Sequence, residues 1–414
     1  MIDLKKLNIK KNKTKLIICN LFIIIFLLDI FYELKIFKDN FFYSGNAIFS
    51  DLLVIIPNLD EFSNWSFFDI EKKSSNEMFN RIMNYPLIWT YIFNFLSYFG
   101  DPILIFGIIE LTLYVIFANL ILLQVNKNFY IYFSLLFSPP ILLMLERGNI
   151  DCFIFFLLLA GILMRNYISG FLTGFAISLK YYPILLLPMY FIFNNINKKF
   201  IMGFLLTLPL IILTFLQVKI MLATTPVSFS SSFGIYSFAL FLIKSKKIFK
   251  IINLDKNNFY LFYLISFFIF FISSFLFNHL FKKDIFKIIW VLKEKNKDFQ
   301  LFIIFSFLSL MIFLVFSNFP YRIVFLLPSA IIYLKNLEKV NKYFDLKKKI
   351  FYFSLATGPF FAPWIISTFN SNLILLNYYS WAFYSPIVFV SFVFYFVILY
   401  NFLRLKLNQI NFNF

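Results

Sequence analysis

Residues 102–124 read PILIFGIIELTLYVIFANLILLQ, an apolar stretch in which Glu110 is the one charged side chain. A helix needs about 20 mostly apolar residues to cross the hydrocarbon core of a bilayer, so this segment predicts a transmembrane helix. Runs of the same kind recur on both sides of it, at 16–34, 129–145, 151–165, 168–180, 183–194, 200–217, 259–281, 299–317, 322–336, 350–370 and 381–403. The chain therefore reads as an all-α polytopic membrane protein of about twelve transmembrane helices.

Composition agrees with that reading. Of the 414 residues 61% are hydrophobic, 23% aromatic and 14% charged, with a mean hydropathy of +0.83. Soluble domains are about 45–50% apolar and about 25% charged. The same figures exclude a disordered chain, and two cysteines exclude a disulfide scaffold. Cys19 and Cys152 lie in apolar runs and read as small buried hydrophobes, with no redox or zinc chemistry implied. The first apolar run lacks a small-residue cleavage site and is expected to stay as a first transmembrane helix.

The net charge of +18 does not point to nucleic acid, because the lysines sit in short loops between apolar segments. Lysine-rich ends lie on the cytoplasmic side, so the tails 1–15 and 404–414 are expected inside. The remaining chain threads as one integral membrane domain over 1–414, with a long first outer loop at 35–101 and a second long outer loop at 218–258. Within the first loop, 86–100 (PLIWTYIFNFLSYFG) is short and aromatic and reads as a helix lying in the interface. The Lys244 to Lys256 stretch is the one basic cluster this threading leaves outside.

Polar chemistry collects on the outer side. Only five of the 38 basic residues are arginines, and three of them, Arg81, Arg147 and Arg322, fall there against the positive-inside trend. A guanidinium fork suits bidentate contact with phosphate or carboxylate, whereas lysine offers a point charge. Arg147, Lys180 and Arg322 at one outer mouth would make a phosphate clamp. In the alternative reading Arg147 pairs with Glu146 or Asp151 and Arg322 only snorkels; spatial convergence separates the two. Asp51, one of eight acids in the first outer loop, stands against the apolar run 52–57 and is a candidate general base. Lys180-Tyr181-Tyr182-Pro183 predicts a tight turn or a broken helix, because Pro183 removes a backbone donor. Irregular backbone at that depth belongs beside protein or water.

Glu146-Arg147-Gly148-Asn149-Ile150-Asp151, an apolar run, Ser169-Gly170-Phe171 through Gly174, and Ser178-Leu179-Lys180-Tyr181-Tyr182-Pro183 with Leu187-Pro188 resemble the integral-membrane glycosyltransferases of the GT-C superfamily. The resemblance is closest to glycosyltransferase family 87, the polyprenyl-phosphate-mannose-type enzymes and their bacterial relatives. Residues 146–190 carry it, with weaker support from Asp51, Tyr85-Pro86, Ser232-Phe233-Gly234 and Tyr321-Arg322. It implies that Asp51 is the catalytic base and that Glu146 and Asp151 form a second outer acid motif. Charge adds Arg147, Lys180 and Arg322 as ligands of the donor phosphate, and Glu146, Asn149, Asp151, Tyr182 and Tyr321 complete the expected substrate-binding set. Arg147-Gly148 stands where many relatives have Gly-Gln, which leaves sugar and acceptor open.

The expected activity is inverting transfer of a mannose-like hexose from a polyprenyl-phosphate donor to a lipid-linked or surface glycan acceptor. It would take place at the outer face of a bacterial inner membrane. No cofactor is expected and no divalent metal required; the partners are membrane lipid, donor and acceptor. A transporter or flippase of a lipid-linked sugar would share a basic cavity, but its internal repeats are not evident here.

Overall fold

The computed structural model describes residues 13–32, 49–53, 85–125, 127–164, 166–193, 196–224, 238, 257–293, 296–315, 320–369 and 373–411. Among them the regular structure is helical throughout. The chain divides into two compact units, Ile2–Phe129 with Ile141–Pro226, and Tyr130–Pro140 with Val227–Phe414.

The first unit begins with α1 (Lys13–Tyr32) and the single turn α2 (Ser50–Leu53). Then come the short α3 (Ile88–Ser97) and α4 (Pro102–Gln124). The bounds of α4 coincide with the apolar stretch, and Asp101 accounts for its start. The Asp101 carboxylate accepts from Ile103 N–H at 2.9 Å and Leu104 N–H at 3.3 Å, with Pro102 in the first turn, where a missing donor does no harm. Helix α3 falls within the expected 86–100 stretch; it buries Trp89, Thr90 and Phe93 and exposes Tyr91 and Phe95.

The expected span 129–145 is two helices, α5 (Phe129–Leu136) and α6 (Pro139–Glu146), parted at Ser138-Pro139. They are followed by α7 (Asp151–Leu163) and α8 (Asn166–Leu179). The break foreseen at Pro183 is a 3-10 turn, Tyr182–Leu186, leading into α9 (Leu187–Ile192). Next are α10 (Lys198–Leu205) and α11 (Leu208–Thr224), a pair bent by 60°. Helices α8 and α10 touch backbone to backbone: a Cβ on Gly170 would lie 2.0 Å from the Phe200 carbonyl oxygen, and one on Gly203 2.0 Å from that of Tyr167. Small residues permit this approach where lipid provides no hydrophobic drive between helices, and Gly170-Phe-Leu-Thr-Gly174 supplies the four-residue spacing.

The second unit holds Tyr130–Pro140, with most of α5, then α12 (Asn257–Lys293), α13 (Asn296–Val315), the 3-10 turn Pro320–Leu326, α14 (Leu327–Lys335), α15 (Leu337–Asn341), α16 (Leu346–Phe369) and α17 (Leu373–Asn411). Its interior is a phenylalanine lattice. Phe270 meets Phe313, Phe389 and Phe396 with centroids 5.5–5.7 Å apart, and Phe313 stacks on Phe392 at 4.4 Å. Two buried polar side chains brace it: Tyr395 O–H donates to the Ala356 carbonyl at 2.8 Å, and Asn401 Nδ2 to Asn278 Oδ1 at 2.7 Å.

Among the described residues four helices are long and apolar enough to cross a membrane, or up to six if each of two bent pairs counts as one span. These support an all-α membrane protein, but twelve full spans are not recovered. The shortfall lies in the elements that proline or a turn divides, and in α7, α9 and the described part of α1, which are apolar but short. The second outer loop expected at 218–258 begins later, because α11 runs on to Thr224; most of the rest, like most of the first loop at 35–101, falls outside the described residues.

Candidate functional site

Glu146 closes α6, and the chain turns at Gly148 with φ +57°. Two hydrogen bonds make the turn a paired helix stop: Gly148 N–H to the Leu145 carbonyl at 3.2 Å, and Asn149 N–H to the Met144 carbonyl at 3.1 Å. Glycine is required on two counts. The left-handed backbone disfavours a Cβ, and a Cβ there would stand 2.9 Å from Phe49 Cδ1 and 3.0 Å from Leu52 Cδ1. The turn thus seats α2 directly upon itself. Phe49 N–H donates to the Glu146 carbonyl at 3.0 Å and Asp51 N–H to the Arg147 carbonyl at 3.1 Å.

Seated this way, Asp51 faces two side chains of the turn. Its Oδ1 accepts from Arg147 Nε at 2.8 Å and pairs with Arg147 Nη2 at 2.7 Å, while Oδ2 accepts from Asn149 Nδ2 at 2.5 Å. The Asp51 and Arg147 side chains keep 12% and 24% of their surface exposed, so the pair is accessible at its arginine side. Asn149 is fully buried, and its Oδ1 accepts the Asp151 N–H at 3.0 Å. One amide therefore holds the Asp51 carboxylate and the start of α7 together.

Asp151 opens α7 with no exposure at all. Its Oδ1 accepts from Lys180 Nζ at 2.6 Å and from Tyr182 O–H at 2.7 Å. Lys180 follows the last residue of α8 and stands 5.2 Å from the ring centroid of Tyr85 and 5.7 Å from that of Tyr182. The turn before Pro183 thus brings a lysine and a tyrosine onto one carboxylate oxygen. Trp89 Nε1 donates to the Leu179 carbonyl at 2.9 Å, anchoring α3 beside this turn, and its ring meets Phe106 edge to face at 5.3 Å.

Of the residues singled out from sequence, Asp51, Glu146, Arg147, Asn149, Asp151, Lys180 and Tyr182 are gathered around α2, the Gly148 turn and the Lys180 turn of the first unit. Arg147 pairs with Asp51, across 96 positions of sequence. Glu146 is nearly buried, at 9% exposure. Arg322 is half-buried on the 3-10 turn of the second unit, and the side chain of Tyr321 lies outside the described residues. Glu110, inside the apolar stretch 102–124, was not among the expected site residues. In the structure it is buried in mid-α4, within electrostatic reach of Asp151, Asp51 and Lys180. Its signal was the one already visible, an acidic group alone in an apolar span.

Chemically the arrangement offers a carboxylate near the surface, held in fixed orientation by guanidinium and amide donors. Behind it is a buried Asp151–Lys180 pair. Among the described residues no three His, Cys, Asp or Glu side chains converge as a metal site.

No curated protein and no solved structure matches the chain. Asp51 lies outside the stretch for which a family match exists. Residues 84–241, which contain Tyr85, Arg147, Asn149, Asp151, Lys180 and Tyr182, match the model of glycosyltransferase family 87, a family of membrane glycosyltransferases, in agreement with the resemblance carried by 146–190.

Proposed function

We propose that the protein is an inverting GT-C-type hexosyltransferase. It takes a mannose-like sugar from a polyprenyl-phosphate donor and passes it to a lipid-linked or surface glycan at the outer face of a bacterial inner membrane, with both termini cytoplasmic. The observation that carries this reading is the contact of Asp51 with Arg147 and Asn149. It joins the acid of the first outer loop to the motif at the heart of the family match.

In the reaction the Asp51 carboxylate takes the proton of the acceptor hydroxyl as that oxygen attacks the anomeric carbon. The bond from that carbon to the donor phosphate oxygen breaks on the opposite side, so configuration inverts. The polyprenyl phosphate leaves with the bonding pair. Its growing charge meets the Arg147 guanidinium, the more exposed partner of the pair, with the Lys180 ammonium adding to the local positive potential. Asn149 keeps Asp51 turned toward the acceptor while Arg147 shifts its donors to the phosphate. The chain itself thereby supplies a cation for the leaving group.

The test is incubation of the purified protein in liposomes with radiolabelled polyprenyl-phosphate sugars and glycolipid acceptors. Transfer of label to the acceptor supports the proposal. Movement of the donor across the bilayer without transfer would favour a transporter instead.

A further inference from the structure

Helix α12 has 37 residues, roughly 55 Å at the α-helical rise, against a hydrocarbon core of about 30 Å. Its last part, 281–293, continues as an amphipathic extension. Ile285, Ile288, Ile289, Val291 and Leu292 are buried, while Lys283, Lys287 and Trp290 follow one another along the exposed side. Trp290 is 58% exposed and Tyr343 42%, yet their rings meet edge to face with centroids 6.2 Å apart. That contact brings the exposed Lys342 beside α12, and Lys287 Nζ stands 5.8 Å from the Phe344 ring centroid.

The acids nearby are largely committed to the protein. Asp284 accepts from Lys348 Nζ at 2.8 Å and from Tyr352 O–H at 3.0 Å, and Asp298 pairs with Lys335 at 3.0 Å. Asp345 accepts the Lys348 N–H at 2.8 Å at the start of α16, and Glu338 is exposed on α15. The Lys348–Asp284 bond ties the start of α16 to α12, and on that start Leu346 and Ile350 are exposed at 70% and 59%. Cations beside amphipathic rings and bare aliphatic side chains match a layer in which phosphate headgroups meet acyl chains.

We infer that Lys283, Lys287 and Lys342, set around the Trp290–Tyr343 pair, form a docking surface for the headgroups of anionic phospholipids. The lysines take the headgroup phosphate and the exposed Leu346 and Ile350 lie against the acyl chains. The surface belongs to the second unit and does not depend on the transferase reading.

The full-length protein, reconstituted in liposomes, provides the test. Fluorescence quenching by brominated phosphatidylglycerol is compared with that by brominated phosphatidylcholine at equal mole fraction, and the Trp290 share is isolated by difference from Trp290→Phe. The expected result is that the anionic lipid quenches the Trp290 share with an affinity on the order of fivefold higher. That preference should fall to parity in the Lys283→Gln/Lys287→Gln/Lys342→Gln variant and shrink at high salt. Equal quenching by the two lipids in the unaltered protein, or an undiminished preference in the triple variant, overturns the inference.

Discussion

Arg147 Nη2 and Nε both address one oxygen of Asp51, at 2.7 Å and 2.8 Å, and Asn149 addresses the other. The carboxylate is thus oriented from both sides by residues of a single turn. A lysine at 147 would keep the charge but offer no planar fork. Arg147→Lys is expected to lower kcat for sugar transfer roughly a hundredfold, the scale for loss of a donor aimed at developing charge, with much less effect on protein yield. Initial rates at saturating donor check it.

Asn149 has no exposure, and its amide joins Asp51 to the Asp151 backbone. Asn149→Ala leaves buried groups without partners and is expected to destabilise the protein by about 1–3 kcal/mol. Asn149→Asp keeps the acceptor for the Asp151 N–H but sets a second carboxylate against Asp51. It should retain more stability than the alanine variant while losing transfer. Thermal unfolding in detergent beside activity separates the two effects.

Gly148 is constrained by its φ of +57° and by Phe49 and Leu52 at 2.9–3.0 Å. Gly148→Ala adds about 1–2 kcal/mol of backbone strain and also pushes against the residues flanking Asp51. Activity should therefore fall further than stability does. An alanine variant with unchanged transfer would show that the seating of α2 on this turn is immaterial.

Two ion pairs offer an internal comparison. In Lys180–Asp151 the side chains are 10% and 0% exposed, and removing one partner strands a buried charge, at about 3–5 kcal/mol. In Lys348–Asp284 the lysine is 45% exposed, and water screens such a pair so that it contributes little. Lys180→Met should lower the unfolding temperature markedly and Lys348→Gln barely. The hydrogen bond to Asp284 raises the Lys348 pKa above the ordinary lysine value. Its small contribution is therefore complete at neutral pH and fades as pH rises through that raised pKa. In Lys348→Gln the alkaline limb of the unfolding profile, above about pH 10, should be flatter.

Much of this was legible in the sequence because it depends on local chemistry. The apolar run of α4, the short helix α3 and the break at Pro183 each follow from a few consecutive residues. What could not be read was pairing at a distance. Asp51 was one of eight acids, marked locally only by the apolar run 52–57; the Gly148 turn receives Phe49 and Asp51 through backbone hydrogen bonds. The end of α12 was expected at 281 because Lys282 and Lys283 follow. The helix continues because Ile285, Ile288, Ile289 and Leu292 sustain a buried stripe beyond the charges. Spans at 129–145 and 200–217 were read as single helices, but Pro139 and the Leu206-Thr207 step divide them.

The role of Asp51 as proton acceptor is tested most directly by comparing the unaltered protein with Asp51→Asn, both purified and reconstituted, for transfer of radiolabelled sugar from polyprenyl phosphate. Asparagine keeps the shape and an acceptor oxygen for Arg147 but cannot take the proton. Label transfer should therefore disappear at equal protein level while donor binding persists. Undiminished transfer by the Asp51→Asn protein would contradict the account.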